Sequence, residues 1–510
     1  MLRMLVLFGF CCSIVAPSVF IGSSEVLAAE TAWTFTLNRT EGIHPEPFTG
    51  RVYLFFSEQG DQSETEPRLG PNWFRPQPMI SYDVTDWKSG DALQLSLTTP
   101  GLKTFPAEIS NDTLTNRRVQ AIARFNPIDP NVGTGSDNGR SDVIKLDSPG
   151  EVTLTISSLT PKQVFPEEAW SMLLRVRSKL LSDFHGRDVY LQGAVTVPAS
   201  YDSQPDRRYP VILEVPGFGG DHFYKLAYQA PKESNTLGVE FIRVMLDPRC
   251  PLGHHVFANS ANNGSYGNAF VQEFLPALDE AYRTAGAPGR FLTGHSSGGW
   301  STIWLQMNYP QHFAGTWSTA PDPVDFRNFQ NIVIHRPGEN MYVDPEGNRR
   351  PLGRMNGEPV IFYDTFSHME EVLGHGGQLC SFDAVFSPRG ANGQPLPLWN
   401  RETGVIDPAV AEAWKKYDLR QFIEEHWEVV GPQLQGKLNV FMGTEDTFYL
   451  EGAAMLLKES LEKLGSDAVV EFFPGADHWS FVDSQFRSRM EQEMAAKFLE
   501  NSRPRLQNQD

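Results

Sequence analysis

Residues 290–310 read Arg-Phe-Leu-Thr-Gly-His-Ser-Ser-Gly-Gly-Trp-Ser-Thr-Ile-Trp-Leu-Gln-Met-Asn-Tyr-Pro, and Gly294-His295-Ser296-Ser297-Gly298-Gly299 at their centre sets a serine between glycines. Phe291, Leu292 and Thr293 make a short strand, Trp300 to Asn308 carries helical spacing, and Tyr309-Pro310 ends it. A strand that turns abruptly into a helix crowds its own backbone. Only residues without a Cβ leave room for a serine held at the tip in a strained conformation. This is the nucleophile-elbow pattern, and it makes Ser296 the candidate nucleophile.

A serine hydroxyl is a poor nucleophile at neutral pH. It needs an imidazole to take its proton and a carboxylate to hold that imidazole in one tautomer. On a parallel sheet these partners follow the serine in the order acid, then histidine. Gly443-Thr444-Glu445-Asp446 follows the strand-like Leu438 to Met442, and Gly475-Ala476-Asp477-His478 follows Val469 to Phe473. Of the twelve histidines only His478 lies downstream of Asp446. Asp446 is the preferred acid, with Glu445 beside it and Asp322, after the strand that follows the elbow helix, as alternatives. An oxyanion needs preorganised N–H donors. The N–H of Ser297, at the start of a helix, is one candidate; Phe218, in the loop Pro216-Gly217-Phe218-Gly219-Gly220 after Tyr209 to Val215, is the other. A dinucleotide loop is excluded there, because His222 stands where the fingerprint requires a small residue.

Around this motif the texture is that of an α/β protein, with strands alternating with helical stretches as a mostly parallel sheet requires. Leu173 to Leu181 and Val189 to Val197 read as its leading strands, and Phe270 to Tyr282 as an amphipathic helix. Between about 325 and 436 the alternation breaks into a Gly-, Pro- and Asn-rich stretch, expected to be a long active-site loop. Upstream, Val52 to Phe56, Leu93 to Leu97 and Val152 to Ile156 alternate between turn residues, which predicts an antiparallel β-sandwich-like domain. The expected organisation is a signal peptide at 1–29, a β-rich domain at 30–168 and the α/β unit at 169–505.

The leader reading rests on Arg3, an apolar run from Met4 to Phe20 and small residues at Ala28-Ala29, and it predicts a secreted or periplasmic protein with no stable membrane span after processing. The formal net charge of −19 argues against nucleic acid as a partner. Cys250 and Cys380 remain after the leader is removed, and they read equally as one bridge or as two buried thiols. No metal and no cofactor are expected: His254-His255 has no third ligand at suitable spacing.

Gly294 to Phe326, from Gly-His-Ser-Ser-Gly-Gly-Trp through Tyr309-Pro310 to Pro321-Asp322-Pro323-Val324-Asp325-Phe326, resembles the esterase D-like group of α/β-hydrolases. That group includes feruloyl, acetyl and enterochelin esterases and mycolyl transferases. The resemblance implies an α/β-hydrolase fold, a triad of Ser296, Asp446 and His478, oxyanion donors at Phe218 and Ser297, and a small-molecule or carbohydrate-linked ester as substrate. An exported esterase is the expectation. A peptidase or an acyltransferase on the same scaffold, and a surface binding module with a decayed site, are the alternatives.

Overall fold

The computed structural model describes residues 32–503 apart from 228, 229 and 231–235, so the expected leader lies outside the described residues. The elbow belongs to an eight-stranded sheet whose strands are, in chain order, β1 (Ser171–Arg177), β2 (Tyr190–Thr196), β3 (Val211–Val215), β4 (Ile242–Leu246), β5 (Arg290–His295), β6 (Gly315–Thr319), β7 (Leu438–Gly443) and β8 (Val469–Phe473). Their spatial order is 1-2-4-3-5-6-7-8. β1–β2 and β2–β4 pair antiparallel, and every other neighbour is parallel. This is the sheet of an α/β-hydrolase.

Its central strands are buried on both faces, as parallel strands covered by helices must be. Alternation divides them between two cores. Val211, Leu213 and Leu292 pack with Phe270 and Leu278 on one face. Ile212, Phe291 and Phe441 pack on the other against Met490 and Met494 of the closing helix, Ser484–Asn501. β1 ends at Arg177, four residues before the expected end. The Ser178 hydroxyl accepts the Leu181 N–H and caps a helix at Lys179–His185, so capping chemistry overrides a run whose composition suited a strand.

The stretch from 325 to 436 is folded, which corrects the long-loop expectation. It holds a hairpin, Pro351–Met355 with Glu358–Phe362, and helices at Tyr363–Leu373, Gln378–Phe386, Pro408–Trp414 and Leu419–Leu434. Its turns carry the glycines and prolines, while Phe366, Met369, Phe382 and Trp414 join a core shared with Trp300 and Ile303 of the elbow helix.

From Thr34 to Leu159 nine strands form one sheet rather than two: eight make a continuous hydrogen-bonded path, and the ninth, Ile144–Leu146, branches from Arg117–Ala123. That path closes over its own core: Phe35, Leu54, Ile80, Ala121 and Ile156 come from different strands and share one cluster. One pairing, Thr34–Arg39 with Glu151–Leu159, is parallel. The opposite face of Phe48–Phe56 carries Tyr53 and Phe55 into the core of the 325–436 segment. Polar pins join the two parts. Tyr53 donates to the Leu373 carbonyl at 2.7 Å, and Ser81 donates to the Val372 carbonyl at 2.8 Å. Cys250 and Cys380 are separate free thiols.

Candidate active site

β5 runs into the helix Ser297–Asn308 through Ser296, whose φ of 58° and ψ of −124° lie where residues with a Cβ rarely stay. Backbone bonds hold it there. Ser296 N–H donates to Thr319 O at 3.0 Å, and its carbonyl accepts from Trp300 N–H at 3.0 Å and from Asp322 N–H at 3.2 Å. The flanking glycines are sterically required. A Cβ on Gly298 would lie 1.9 Å from the Val215 carbonyl oxygen, and one on Gly294 would lie 2.3 Å from the Gly298 carbonyl oxygen.

The acid and the histidine arrive from the ends of β7 and β8. Asp446 is fully buried: its Oδ1 accepts from Phe448 N–H at 2.8 Å, and its Oδ2 accepts from His478 Nδ1–H at 2.6 Å. That bond leaves Nε2 of His478 as the ring's acceptor. Phe448 and Trp479 each stand edge-on to the imidazole, with ring centroids 5.0 and 4.9 Å away. The 325–436 segment braces this turn, since Arg354 Nε donates to the Asp446 carbonyl at 3.0 Å. Glu445, the neighbouring alternative, is exposed.

Asp322, the other alternative, belongs to the serine side. Its Oδ1 accepts from the Ser296 hydroxyl at 3.4 Å, its Oδ2 from the Ser297 hydroxyl at 2.5 Å, and Gln378 Nε2 reaches the Ser297 hydroxyl at 3.1 Å. Among the described residues no hydrogen bond joins Ser296 to His478, and the Ser296 hydroxyl is turned to Asp322. Free enzymes commonly hold such bonds loosely before substrate is bound. His295 packs 4.5 Å from the His478 ring. Burial first, and the neighbouring His478 second, hold His295 well below the usual imidazole range. Thr319 donates its hydroxyl proton to the Gly294 carbonyl, so it accepts from Nδ1–H of His295 at 3.0 Å.

The Pro216–Gly220 loop lies against the serine: a Cβ on Gly217 would fall 3.2 Å from Ser296 Cβ. His254 orients this loop. Its Nδ1 accepts from Val256 N–H at 3.1 Å, so Nε2–H donates to the Pro216 carbonyl at 3.1 Å. His255 instead stacks on Tyr266 with ring centroids 3.7 Å apart. Ser297 begins the elbow helix, and the N–H of a first helical residue has no acceptor within its own helix. Ser296, His478 and Phe218 line one cavity of about 250 Å³. Trp73 and Phe74 from the loop that precedes the N-terminal strand Met79–Trp87, Phe366 and Phe382 from the 325–436 segment, and Phe448 and Trp479 give it apolar walls.

Trp479 is legible as a pocket residue because it stands beside His478 in the chain, but the other wall residues carry no local signal in the sequence. Trp73 reaches the cavity only through packing between distant parts of the chain, and Gln378 joins Ser297 only through the fold of the 325–436 segment. Asp322 was legible as a carboxylate near the site, through its place after the strand that follows the elbow helix, but not its bond to Ser297.

Burial pushes the Asp322 carboxyl up to about 6, against the opposing pull of the Ser297 and Ser296 hydroxyls and of His478. An unfolded aspartate ionises near 3.8. The buried carboxyl therefore contributes fully to stability below about pH 4 and loses that contribution as pH rises towards about 6. A shift of this size is worth about 3 kcal/mol. The Asp322→Asn variant escapes the loss, so its stability relative to the parent is expected to improve by up to that amount between pH 4 and pH 7. Urea unfolding midpoints of both proteins at the two pH values check it; an unchanged difference rejects it.

The esterase family model described as "Putative esterase" matches residues 190–496. The chain belongs to this family. The match bears out the resemblance read from Gly294 to Phe326, and it supports an ester hydrolase. No curated protein matches the chain. Among solved structures it is similar to a ferulic acid esterase at 14% identity, covering 64% of this chain and 99% of that one with a TM-score of 0.38. It is also similar to an S-formylglutathione hydrolase from Agrobacterium tumefaciens at 15% identity, over 64% of this chain and 95% of that one, TM-score 0.39. Similarity to Porphyromonas gingivalis dipeptidyl peptidase 4 is 11% in identity, over 82% of this chain and 48% of that one, TM-score 0.39. Among the described residues, no helix is long and apolar enough to cross a membrane.

Proposed function

We propose that this esterase-family chain is an exported serine hydrolase that cleaves a carboxylic ester through an acyl-enzyme. The observation that carries the reading is the buried His478–Asp446 pair, bonded at 2.6 Å, whose imidazole lines the same cavity as Ser296. Ser296 Oγ attacks the ester carbonyl carbon while Nε2 of His478 takes the hydroxyl proton. The oxyanion is held by the N–H groups of Phe218 and Ser297. The carbon–oxygen bond to the alcohol then breaks, and Nε2 returns the proton to the departing oxygen. Water, deprotonated by the same nitrogen, attacks the acyl-enzyme; the bond to Oγ breaks, Nε2 returns the proton to Oγ, and the acid is released. Asp446 keeps Nδ1–H pointing inward throughout.

Export rests on the leader read at residues 1–29. The proposed organisation is a β-rich unit at 30–168 followed by the catalytic unit at 169–505, with the 325–436 segment inserted in it. The substrate is a small-molecule or carbohydrate-linked ester. Treatment with a fluorophosphonate is expected to attach one phosphonyl group to the peptide containing Ser296 and to stop hydrolysis of 4-nitrophenyl acetate in step with labelling. Turnover that persists in fully labelled protein, or a label on another serine, rejects the assignment.

A further inference from the structure

A second cavity of about 220 Å³ adjoins the serine cavity, between the N-terminal sheet and the 325–436 segment. The two cavities share three lining residues, Trp73, Phe218 and Phe366. Those three touch one another through Trp73, whose ring centroid stands 5.2 Å from that of Phe218 and 5.3 Å from that of Phe366. The partition is thus a single layer of aromatic rings with Trp73 at its middle. Behind it, Phe55, Met369 and Leu373 give the second chamber an apolar side, and Arg68, Glu370 and His375 give it a polar one.

Trp73 sits on a loop that is stapled to itself. Asn72 Oδ1 accepts from Phe74 N–H at 2.9 Å, and Gln77 Oε1 accepts from Asn72 N–H at 2.9 Å. An indole carried on such a loop is a fixed wall rather than a loose flap. The two halves of an ester face different walls. The alcohol must depart beside His478, which gives it a proton and packs against Phe448 and Trp479. Trp479 is half exposed, so that side leads outward. On the proposed assignment the ester carbonyl faces Phe218, which is one of the three rings of the partition.

We propose that Trp73 is the specificity-determining residue for acyl length: its ring closes the serine cavity to long acyl chains and withholds the second chamber from them. The proposal rests on the esterase reading above. It also makes the N-terminal part of the chain a part of the substrate site, because Trp73 belongs to it.

The test is the ratio of kcat/KM for 4-nitrophenyl octanoate to that for the butyrate, in the parent and in Trp73→Ala, Trp73→Phe and Phe366→Ala. Opening the wall from either side is expected to raise the ratio by about tenfold or more, the scale set by a few buried methylenes, while Trp73→Phe retains the parent preference. Loss of packing alone lowers both rates together and leaves the ratio unchanged, and that result overturns the proposal. Phe366→Ala carries the experiment if Trp73→Ala fails to fold. Calorimetric binding of octanoate against butyrate is measured alongside and involves no chemistry. If the parent hydrolyses no ester, the esterase reading falls, and the wall is then judged by whether the alanine variants gain relative affinity for octanoate.

Discussion

Ser296→Ala is expected to lower kcat for 4-nitrophenyl acetate by about 10⁶-fold, the scale seen when a triad serine is removed from a hydrolase whose remaining groups stay in place. Two features of this site make the variant informative. Alanine keeps the Cβ, so the backbone at φ 58° is as strained as before and the elbow has no new freedom. The hydroxyl that is lost makes only a 3.4 Å contact with Asp322, so little of the fold depends on it. The circular dichroism spectrum and melting temperature of the variant should therefore match the parent while turnover collapses. A variant retaining more than about one part in a hundred of the parental kcat would remove Ser296 from the chemistry. On the proposed assignment the residual rate comes from the Phe218 and Ser297 N–H groups, which would still polarise the carbonyl, and from His478, which would still act on water.

The parts of this site that were readable in advance are those set by short stretches of chain. Ser296 announces itself because glycines at 294 and 298 are needed where backbone meets backbone, and a steric requirement so local leaves a pattern in consecutive residues. Asp446 and His478 follow from strand ends, since a parallel sheet delivers the residues just beyond its strands to one edge. The wall is different in kind. Trp73 meets Phe366 because Tyr53 and Ser81 pin the N-terminal sheet to the Tyr363–Leu373 helix, and nothing in the neighbourhood of residue 73 encodes that docking. The 325–436 segment misled for the opposite reason. Its turns are so rich in Gly, Pro and Asn that composition outweighs the helical spacing of Phe366, Met369 and Leu373 between them. Ser178 shows the same competition on a small scale: a single capping hydroxyl turned the end of a predicted strand into a helix.

Asp446→Asn is expected to reduce kcat by about 10⁴-fold at neutral pH, and the cause lies in a hydrogen bond outside the triad. Asp446 has two acceptor oxygens and uses both, Oδ1 for Phe448 N–H and Oδ2 for Nδ1–H of His478. An asparagine has only one oxygen to offer. If that oxygen faces His478, the amide NH₂ points at the Phe448 N–H, donor against donor in a buried place, which costs on the order of 1–3 kcal/mol. The favoured arrangement therefore gives the oxygen to Phe448 and turns the NH₂ towards Nδ1. Nδ1 must then accept, the ring proton moves to Nε2, and the nitrogen that should take the proton from Ser296 already carries one. The backbone of Phe448 thus selects the unproductive tautomer, and the variant fails while its triad side chains remain in place. Nitrogen-15 spectra of the imidazole should find the proton on Nδ1 in the parent and on Nε2 in the variant, alongside the loss in kcat. A variant that loses less than about tenfold would mean that Asp446 does not govern the histidine during turnover.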